Sequence, residues 1–206
     1  MSLKMTSKGG TDFPRCPVGT TLGICYGVID VGMQPNQNYG PKASILLLFE
    51  TPNELMPDGR PFGVSKTYGA SMSPKSWLRK DVEVWLGVSF DSDAAAYNYD
   101  VTELLGQPCL LTISESKAKN GDRIWTNVDA VVKVMKGMTI PAQVNPSLLY
   151  DMDNPDQSVY DKLPQWIRNK IDAGRAYHAE QDDDGQGYGK HDDAPLTDFE
   201  DSPLPF

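Results

Sequence analysis

Apolar residues fall into five stretches with the spacing of β-strands, over residues 20–31, 43–49, 62–68, 109–114 and 124–135. The second stretch is apolar without a break, which predicts a strand covered on both faces or a tightly curled one. The fifth alternates, with Val128 and Val132 on one parity and Trp125 on the other. Together the five stretches predict a mainly β fold.

One helix is predicted between the third and fourth strands, over residues 73–86. Ser73 is placed to cap its first turn, Pro74 suits its first position, and Gly87 is placed to end it. Its apolar stripe consists of Leu78, Val82, Trp85 and Leu86.

Five strands with a helix between the third and fourth have the order of an OB-fold, a small, partly open, five-stranded barrel. Another small β-barrel or a β-sandwich would also fit these strands. Asn120-Gly121 is predicted to turn a hairpin between the last two strands. A short C-terminal helix over 164–177 is predicted to pack on the barrel. The chain divides into a flexible N-terminus (1–14), this domain (15–177) and a disordered acidic tail (178–206).

The net charge of −9 is concentrated in the tail. Residues 178–206 contain nine acids and one base, whereas residues 1–177 contain 19 acids and 18 bases. Because the remainder of the chain is nearly neutral, the overall acidity does not exclude a nucleic-acid-binding surface. The longest apolar run, 45–49, is far too short to cross a membrane. No apolar signal-peptide stretch opens the chain, so a cytoplasmic protein without membrane contact is predicted.

Cysteine and histidine positions argue against the common metal and nucleophile sites. Cys16, Cys25 and Cys109 are too few and too widely spaced for a zinc knuckle or a disulfide framework, so reduced and mostly buried thiols are predicted. Both histidines, His178 and His191, fall in the tail, which excludes a catalytic histidine within the predicted barrel.

Other catalytic patterns are also missing from the sequence. It contains no glycine-rich phosphate loop. The acidic stretch 151–156 does not match a calcium-binding loop, because the sixth position is Asp156 rather than glycine. Scattered carboxylates such as Asp30, Glu50 and Asp129 lack the spacing of a metal site and are predicted to be solvated. We therefore expect no catalytic activity, no metal and no other cofactor.

Basic and aromatic residues are interleaved along the segments that line the ligand groove of an OB barrel. Between Arg60 and Lys80 the chain has five bases and no acid. Single-strand binding needs this mixture, because cations follow the phosphates while aromatic rings stack on unpaired bases. The predicted contacts with single-stranded DNA are Tyr39, Lys42, Arg60, Phe62, Lys66, Tyr68, Lys75, Trp77, Arg79, Lys80, Lys117, Lys119, Arg123 and Trp125.

The aromatic members of this set differ in their expected exposure. Phe62 and Tyr68 fit a core position as well as they fit a stacking surface. Trp77 lies off the apolar stripe of the helix and Trp125 lies on the parity opposite Val128, so both are predicted to be exposed. Trp85 is predicted to lie in the core.

The end of the tail combines acids with an apolar tripeptide. Its last residues are Asp198-Phe199-Glu200-Asp201-Ser202-Pro203-Leu204-Pro205-Phe206. This end resembles the acidic tip of bacterial and phage single-stranded DNA-binding proteins, which typically ends in an Ile-Pro-Phe-like sequence or a bare Phe. The resemblance implies that partner proteins bind Asp198, Phe199, Glu200, Asp201, Leu204, Pro205 and Phe206. Physically, a terminal Phe can fill a pocket while its carboxylate meets a cation.

The rest of the chain resembles a phage and prophage family described as OB-fold single-stranded DNA-binding proteins of replication and recombination. The similar stretches are Pro57-Asp58-Gly59-Arg60-Pro61-Phe62, Ser65-Lys66, Leu78-Arg79-Lys80-Asp81, Trp85, Leu105-Gly106-Gln107-Pro108-Cys109-Leu110, Asn127-Val128-Asp129 and Leu163-Pro164-Gln165-Trp166-Ile167. The resemblance covers residues 15–175 and the tip of the tail.

We therefore expect a protein that binds single-stranded DNA without strong sequence preference during phage replication or recombination. It would act in the cytoplasm of a bacterial host, on phage or prophage DNA, and recruit replication or recombination proteins through its tail. Weak self-association is also expected. The alternatives are a non-enzymatic protein-interaction adaptor built on a small β-barrel and, third, a metal-dependent nuclease.

Overall fold

The computed structural model describes residues 14–36, 40–117 and 124–183. Strands dominate it, with short helices between and after them. The strands are β1 (Gly19–Gln34), β2 (Lys42–Leu55), β3 (Pro61–Gly69), β4 (Pro108–Lys117), β5 (Ile124–Val132) and β6 (Leu148–Tyr150). The helices are α1 (Trp77–Leu86), α2 (Asp93–Tyr97), α3 (Gln157–Tyr160) and α4 (Gln165–Asp183), with a 3-10 helix at Val101–Leu104.

All six strands belong to one open sheet. Its order is β3-β2-β1-β4-β5, with antiparallel neighbours, and β6 joins the second half of β1 in parallel. The mainly β fold is confirmed, and so are the five predicted strands with a helix between the third and fourth. The predicted barrel is not closed, because β3 and β5 approach one another without pairing. We call this opening the β3–β5 gap.

The sheet is covered on both faces, which explains why β2 is apolar without a break. Ile45, Leu47 and Phe49 face a core that also contains residues of α1, here called the α1-side core. Leu46 and Leu48 face a second core, the α4-side core, built with Ile167 and Ile171 of α4. Because successive side chains of a strand point to opposite faces, two buried faces require apolar residues at every position.

A bulge in β5 interrupts the alternation that the sequence suggested. Thr112 of β4 pairs with Ala130, but the next residue, Ile113, pairs with Val128. Asp129 is therefore the extra residue of the bulge, and the core-facing parity changes there. Val128 and Val131 are the buried valines of β5, so the prediction that one parity continues through Val132 is wrong.

Helix α1 starts three residues later than its predicted capped turn. The N-cap is Ser76, whose side chain accepts a hydrogen bond from the backbone N–H of Arg79, and not Ser73. Ser76 is held there because its hydroxyl also donates to the carbonyl oxygen of Ser71, 2.6 Å away. The predicted end is confirmed, since Gly87 adopts a left-handed conformation with φ of 66°.

Helix α4 confirms the predicted C-terminal helix and runs further than expected. It packs on β1 through Ile167, Ile171 and Gly174. It continues to Asp183, so the first six residues of the predicted disordered tail are helical. The remainder of that tail, and all of the predicted flexible N-terminus except Pro14, lie outside the described residues.

None of the helices in the described part of the chain is long and apolar enough to cross a membrane.

Candidate nucleic-acid interface

Two of the predicted stacking residues belong to the core. Phe62 and Tyr68 lie on the side of β3 that faces α1, and both are buried in the α1-side core. Neither ring is accessible for a base to stack on, so their assignment as stacking residues is wrong and the core interpretation holds. The sequence left this choice open because β3 is a short strand in which parity does not show which face is covered.

Lys66 points to the same side of β3 and closes the β3–β5 gap with its side chain. Its ammonium donates to a carboxylate oxygen of Asp81 in α1 and to the carbonyl oxygen of Asp129 in β5, each at 2.9 Å. Tyr68 donates its hydroxyl to the same Asp81 oxygen at 2.7 Å. The Lys66 and Asp81 side chains are only 13% and 17% exposed. Lys66 therefore bridges three elements of the fold and is not positioned to contact a phosphate.

Arg79 is likewise held by carboxylates. Its guanidinium donates to Asp93 at 2.7 Å and to Glu83 at 3.1 Å, and it lies over the ring of Phe90. The hydrogen bonds to Asp93 and Glu83 raise the pKa of Arg79 above its ordinary value. Because the side chain is only 11% exposed and is neutralised by two acids, its assignment as a phosphate contact is wrong.

The start of α1 carries the exposed part of the predicted set. Leu78, Val82 and Trp85 turn into the core, which leaves Trp77 and Lys80 on the outer side of the helix. The Trp77 side chain is 48% exposed, and the Lys80 ammonium lies 4.8 Å from the centroid of its ring. Lys75 is exposed just before the helix. The prediction that Trp77 is exposed and Trp85 is buried is confirmed.

A polar strip lies on the β4–β5 pair, on the side of β5 opposite Val128. Ser114 donates to Asp129 and Asn127 donates to Ser116, each at 2.9 Å. Trp125 pairs with Ser116 at the hairpin end of this strip. It is half-buried, not exposed as predicted, and Lys117 is exposed beside it. Ser114, Ser116 and Asn127 are absent from the predicted contacts, although their alternation along β4 and β5 was a usable signal.

The exposed tryptophan of α1 and the hairpin end of β5 lie toward the same end of the molecule. Lys66 contacts Asp81 and Asp129, while Lys133 donates to the carbonyl oxygen of Leu86 at 2.9 Å. Asp81 precedes Leu86 along α1, and Asp129 of β5 precedes Lys133, which follows directly after β5. The two elements therefore run side by side in the same direction. Trp77 and Trp125 both precede the first contact and therefore lie on the same side of it.

The other predicted contacts are peripheral or lie outside the described residues. Arg60 is exposed and forms an ion pair with Asp58 at 2.6 Å. Hydrogen bonds from Arg60 lower the pKa of Asp58. Lys42 is half-buried at the start of β2. The loop residues Tyr39, Lys119 and Arg123 and the tail residues Asp198, Phe199, Glu200, Asp201, Leu204, Pro205 and Phe206 all fall outside the described ranges.

Charge changes sign abruptly within α1. The segment from Arg60 to Lys80 has five bases and no acid, whereas residues 81–116 have seven acids and no base. A polyanion would therefore be attracted to the first turns of α1 and repelled from the segments that follow. Because Lys66 and Arg79 are already neutralised, the cations available near the start of α1 in the described structure are Lys75 and Lys80.

The three carboxylates considered for a nuclease, Asp30, Glu50 and Asp129, each accept hydrogen bonds from the protein. Glu50 is fully buried and accepts hydrogen bonds from the backbone N–H groups of Val144 and Asn145 and from the Asn145 side chain, at 2.6–2.7 Å. The expectation that Glu50 is solvated is wrong. Asp129 accepts from Ser114, and Asp30 accepts from the N–H of Gly32. Within the described ranges, no three His, Cys, Asp or Glu side chains converge on a point where they could hold a metal ion.

No protein-family model matches the sequence, and no curated protein matches it either.

Proposed function

We propose that the protein binds single-stranded DNA without strong sequence preference, on a surface that joins the start of α1 to the hairpin end of β4 and β5. The sheet order β3-β2-β1-β4-β5, with α1 between β3 and β4, supports an OB-fold barrel opened between β3 and β5. In that fold the loops between the first two and the last two strands take part in oligonucleotide binding. These loops contain Tyr39, Lys119 and Arg123.

The observation that carries this proposal is the exposed Trp77 ring with Lys75 and Lys80 beside it. A large, rigid aromatic side chain at the surface offers a face on which unpaired bases can stack whatever their identity. Each stack contributes about 1–3 kcal/mol, and each lysine that reaches a phosphate adds affinity by releasing counterions.

The tail supports a second part of the proposal. Residues 198–206 contain an acidic segment followed by Leu-Pro-Phe. This combination is complementary to an apolar pocket with a basic rim, and we expect replication or recombination proteins with such a pocket to be recruited by it. The protein would then coat exposed strands of phage or prophage DNA in the host cytoplasm and bring enzymes to them. It would need no cofactor for either task.

The test compares two exposed aromatic residues in opposite electrostatic surroundings. Trp77 lies among lysines, whereas Tyr97, 57% exposed in α2, lies in the acidic segment. Wild type should bind oligo-dT more tightly than duplex DNA, with an affinity that falls as salt is added. Trp77→Ala should lose about 1–3 kcal/mol of binding free energy, and Tyr97→Ala should match wild type.

Two results would contradict the proposal. If the two variants bind oligo-dT equally, the strand does not pass over α1. If wild type binds neither nucleic acid at low salt, the protein-interaction adaptor becomes the better explanation of the fold.

A further inference from the structure

The contact between Lys80 and Trp77 is built into the helix. The two residues are three apart in α1, a spacing that brings side chains together on the helix surface. The ammonium lies 4.8 Å from the ring centroid, in the position of a cation–π contact. In the absence of DNA, one face of the exposed indole is therefore covered by a lysine.

We propose that Lys80 occupies the ring face on which a DNA base stacks, and that an arriving base displaces it onto the neighbouring backbone phosphate. The inference rests on the proposed function, and it identifies a nucleotide subsite in which one lysine first covers the stacking surface and then binds the strand.

The relative strengths of the contacts favour this exchange. An exposed cation–π contact changes an equilibrium constant by about two- to fivefold. A base stacked on an aromatic side chain changes it by about five- to 150-fold. The base therefore displaces the ammonium, which sits on a flexible four-carbon stem and can turn toward a phosphate without moving the helix.

Lys80 is the cation near the ring that is free to make this movement. Lys66 and Arg79 are each fixed by carboxylates, at 2.9 Å and 2.7 Å respectively. Among the described residues, no carboxylate forms an ion pair with Lys80. Lys75 is exposed nearby but makes no cation–π contact with the Trp77 ring in the described structure.

Two opposite effects on binding follow from this arrangement. Covering the ring weakens binding, and this short-range contact responds little to salt. The phosphate contact strengthens binding at low salt and is lost as salt rises. Replacing Lys80 by Ala removes both effects. The variant should therefore bind DNA more weakly than wild type at low salt and more tightly at high salt.

The experiment measures binding of a labelled oligo-dT to the full chain across a range of salt, for wild type, Lys80→Ala and Lys75→Ala. Lys80→Ala should bind more weakly than wild type at low salt, with a slope of log K against log salt that is smaller by about 0.7. At high salt it should bind about two- to fivefold more tightly, because the ring is uncovered. The plots of log K against log salt for wild type and Lys80→Ala should therefore cross.

Lys75→Ala is the matched control, because it removes a neighbouring charge without uncovering the ring. Its line should have a reduced slope but should not rise above wild type at any salt concentration. If Lys80→Ala also stays below or equal to wild type throughout, the exchange is wrong, while a reduced slope would still support DNA binding at this surface. An unchanged slope would show that Lys80 never reaches a phosphate. If wild type fails to bind oligo-dT, the proposed function itself is overturned.

Discussion

The two faces of the sheet hold their helices in different ways. The α1-side core includes the rings of Phe49 and Trp85, with centroids 5.6 Å apart, and its border is tied by ion pairs of Lys66 and Arg79. The α4-side core is mostly aliphatic. There the helix lies so close to β1 that a Cβ at Gly174 would overlap the carbonyl oxygen of Val31.

The difference shows where surface chemistry can be placed. A helix that spans a wide interior is held by side chains at its inner face and border, so its outer face can carry Trp77 and Lys80 without affecting its packing. By contrast, α4 packs directly on the backbone of β1, and it can do so because Gly174 has no side chain. The α4 side is further tied by Arg175, which donates to the Tyr150 hydroxyl and lies over the Tyr160 ring.

The largest expected effect is on the α1 side of the sheet. Trp85→Ala removes a fully buried ring that packs on Phe49 and donates its indole N–H to the carbonyl oxygen of Pro108 at 2.8 Å. We expect the free energy of unfolding in urea to fall by about 3–5 kcal/mol. Val84→Ala, at the exposed neighbouring position, should change it by less than about 0.5 kcal/mol. A small loss for Trp85→Ala would mean that α1 is not held by its aromatic contacts.

The next effect concerns the buried carboxylate at the end of the α4-side face. Glu50→Gln replaces a carboxylate that accepts three hydrogen bonds from Val144 and Asn145 with an amide that has one acceptor oxygen. We expect a loss of about 2–4 kcal/mol in the free energy of unfolding, since at least one buried N–H group loses its partner. Glu54→Gln, four residues along the same strand, is the control. Equal stability of the two variants would show that the Glu50 hydrogen bonds contribute nothing net.

A smaller loss in the free energy of unfolding is expected where α4 packs directly on the backbone of β1. Gly174→Ala places a methyl group against the β1 backbone, and overpacking of this kind costs about 1–3 kcal/mol, less about 1 kcal/mol from better helix propensity. We expect a net loss of up to about 2 kcal/mol in the free energy of unfolding in urea. Ala176→Ser, on the exposed side of α4, should lose only about 0.5 kcal/mol, from its lower helix propensity. A stabilised Gly174→Ala protein would mean that α4 can move away from β1 at no cost.

The smallest effect concerns the rate at which cysteines of the α1-side core react with a thiol reagent. This core contains Cys16, Cys25 and Cys109. All three thiols are free and buried, as the sequence predicted. Burial raises the pKa of Cys25 to about 12 and that of Cys109 well above its ordinary value. A raised thiol pKa leaves these cysteines protonated and unreactive in the folded protein, so labelling should require opening of this core.

Labelling rates against pH give the test. If the thiols react only after opening, the rate levels off above the ordinary thiol pKa of about 8.5. It should also rise with added urea. A rate that kept rising tenfold per pH unit toward pH 12 would show that the folded thiolates react directly, and the α1-side core would then be open to reagent.

Patterns that repeat along the chain predicted the main elements. The unbroken apolar run of β2 indicated a strand covered on both faces, and the structure places a core on each side. The spacing of Leu78, Val82 and Trp85 identified the buried face of α1, and with it the exposure of Trp77. These features depend on local periodicity, which a single sequence contains.

Features that depend on distant partners could not be predicted. Ser73 and Ser76 are both reasonable caps, and a hydrogen bond from Ser76 to the Ser71 carbonyl decides between them. The sequence shows Glu83 four residues after Arg79, but the pairing of Arg79 with Asp93 joins two helices and could not be predicted. The bulge at Asp129 changes which residues of β5 face the core, and no glycine or proline in β5 marks its position in the sequence.

The β3–β5 gap has a consequence for solubility. Unpaired strand edges are where another chain can add a strand and start aggregation. Among the described strands, β3 and β5 each have one unpaired edge, and these edges lie close together with α1 against both. A strand entering the gap would have to displace the Lys66 ammonium from Asp81 and from the Asp129 carbonyl, leaving a charge without partners in a nearly dry site. One lysine thus protects both edges from edge-to-edge association while the barrel stays open.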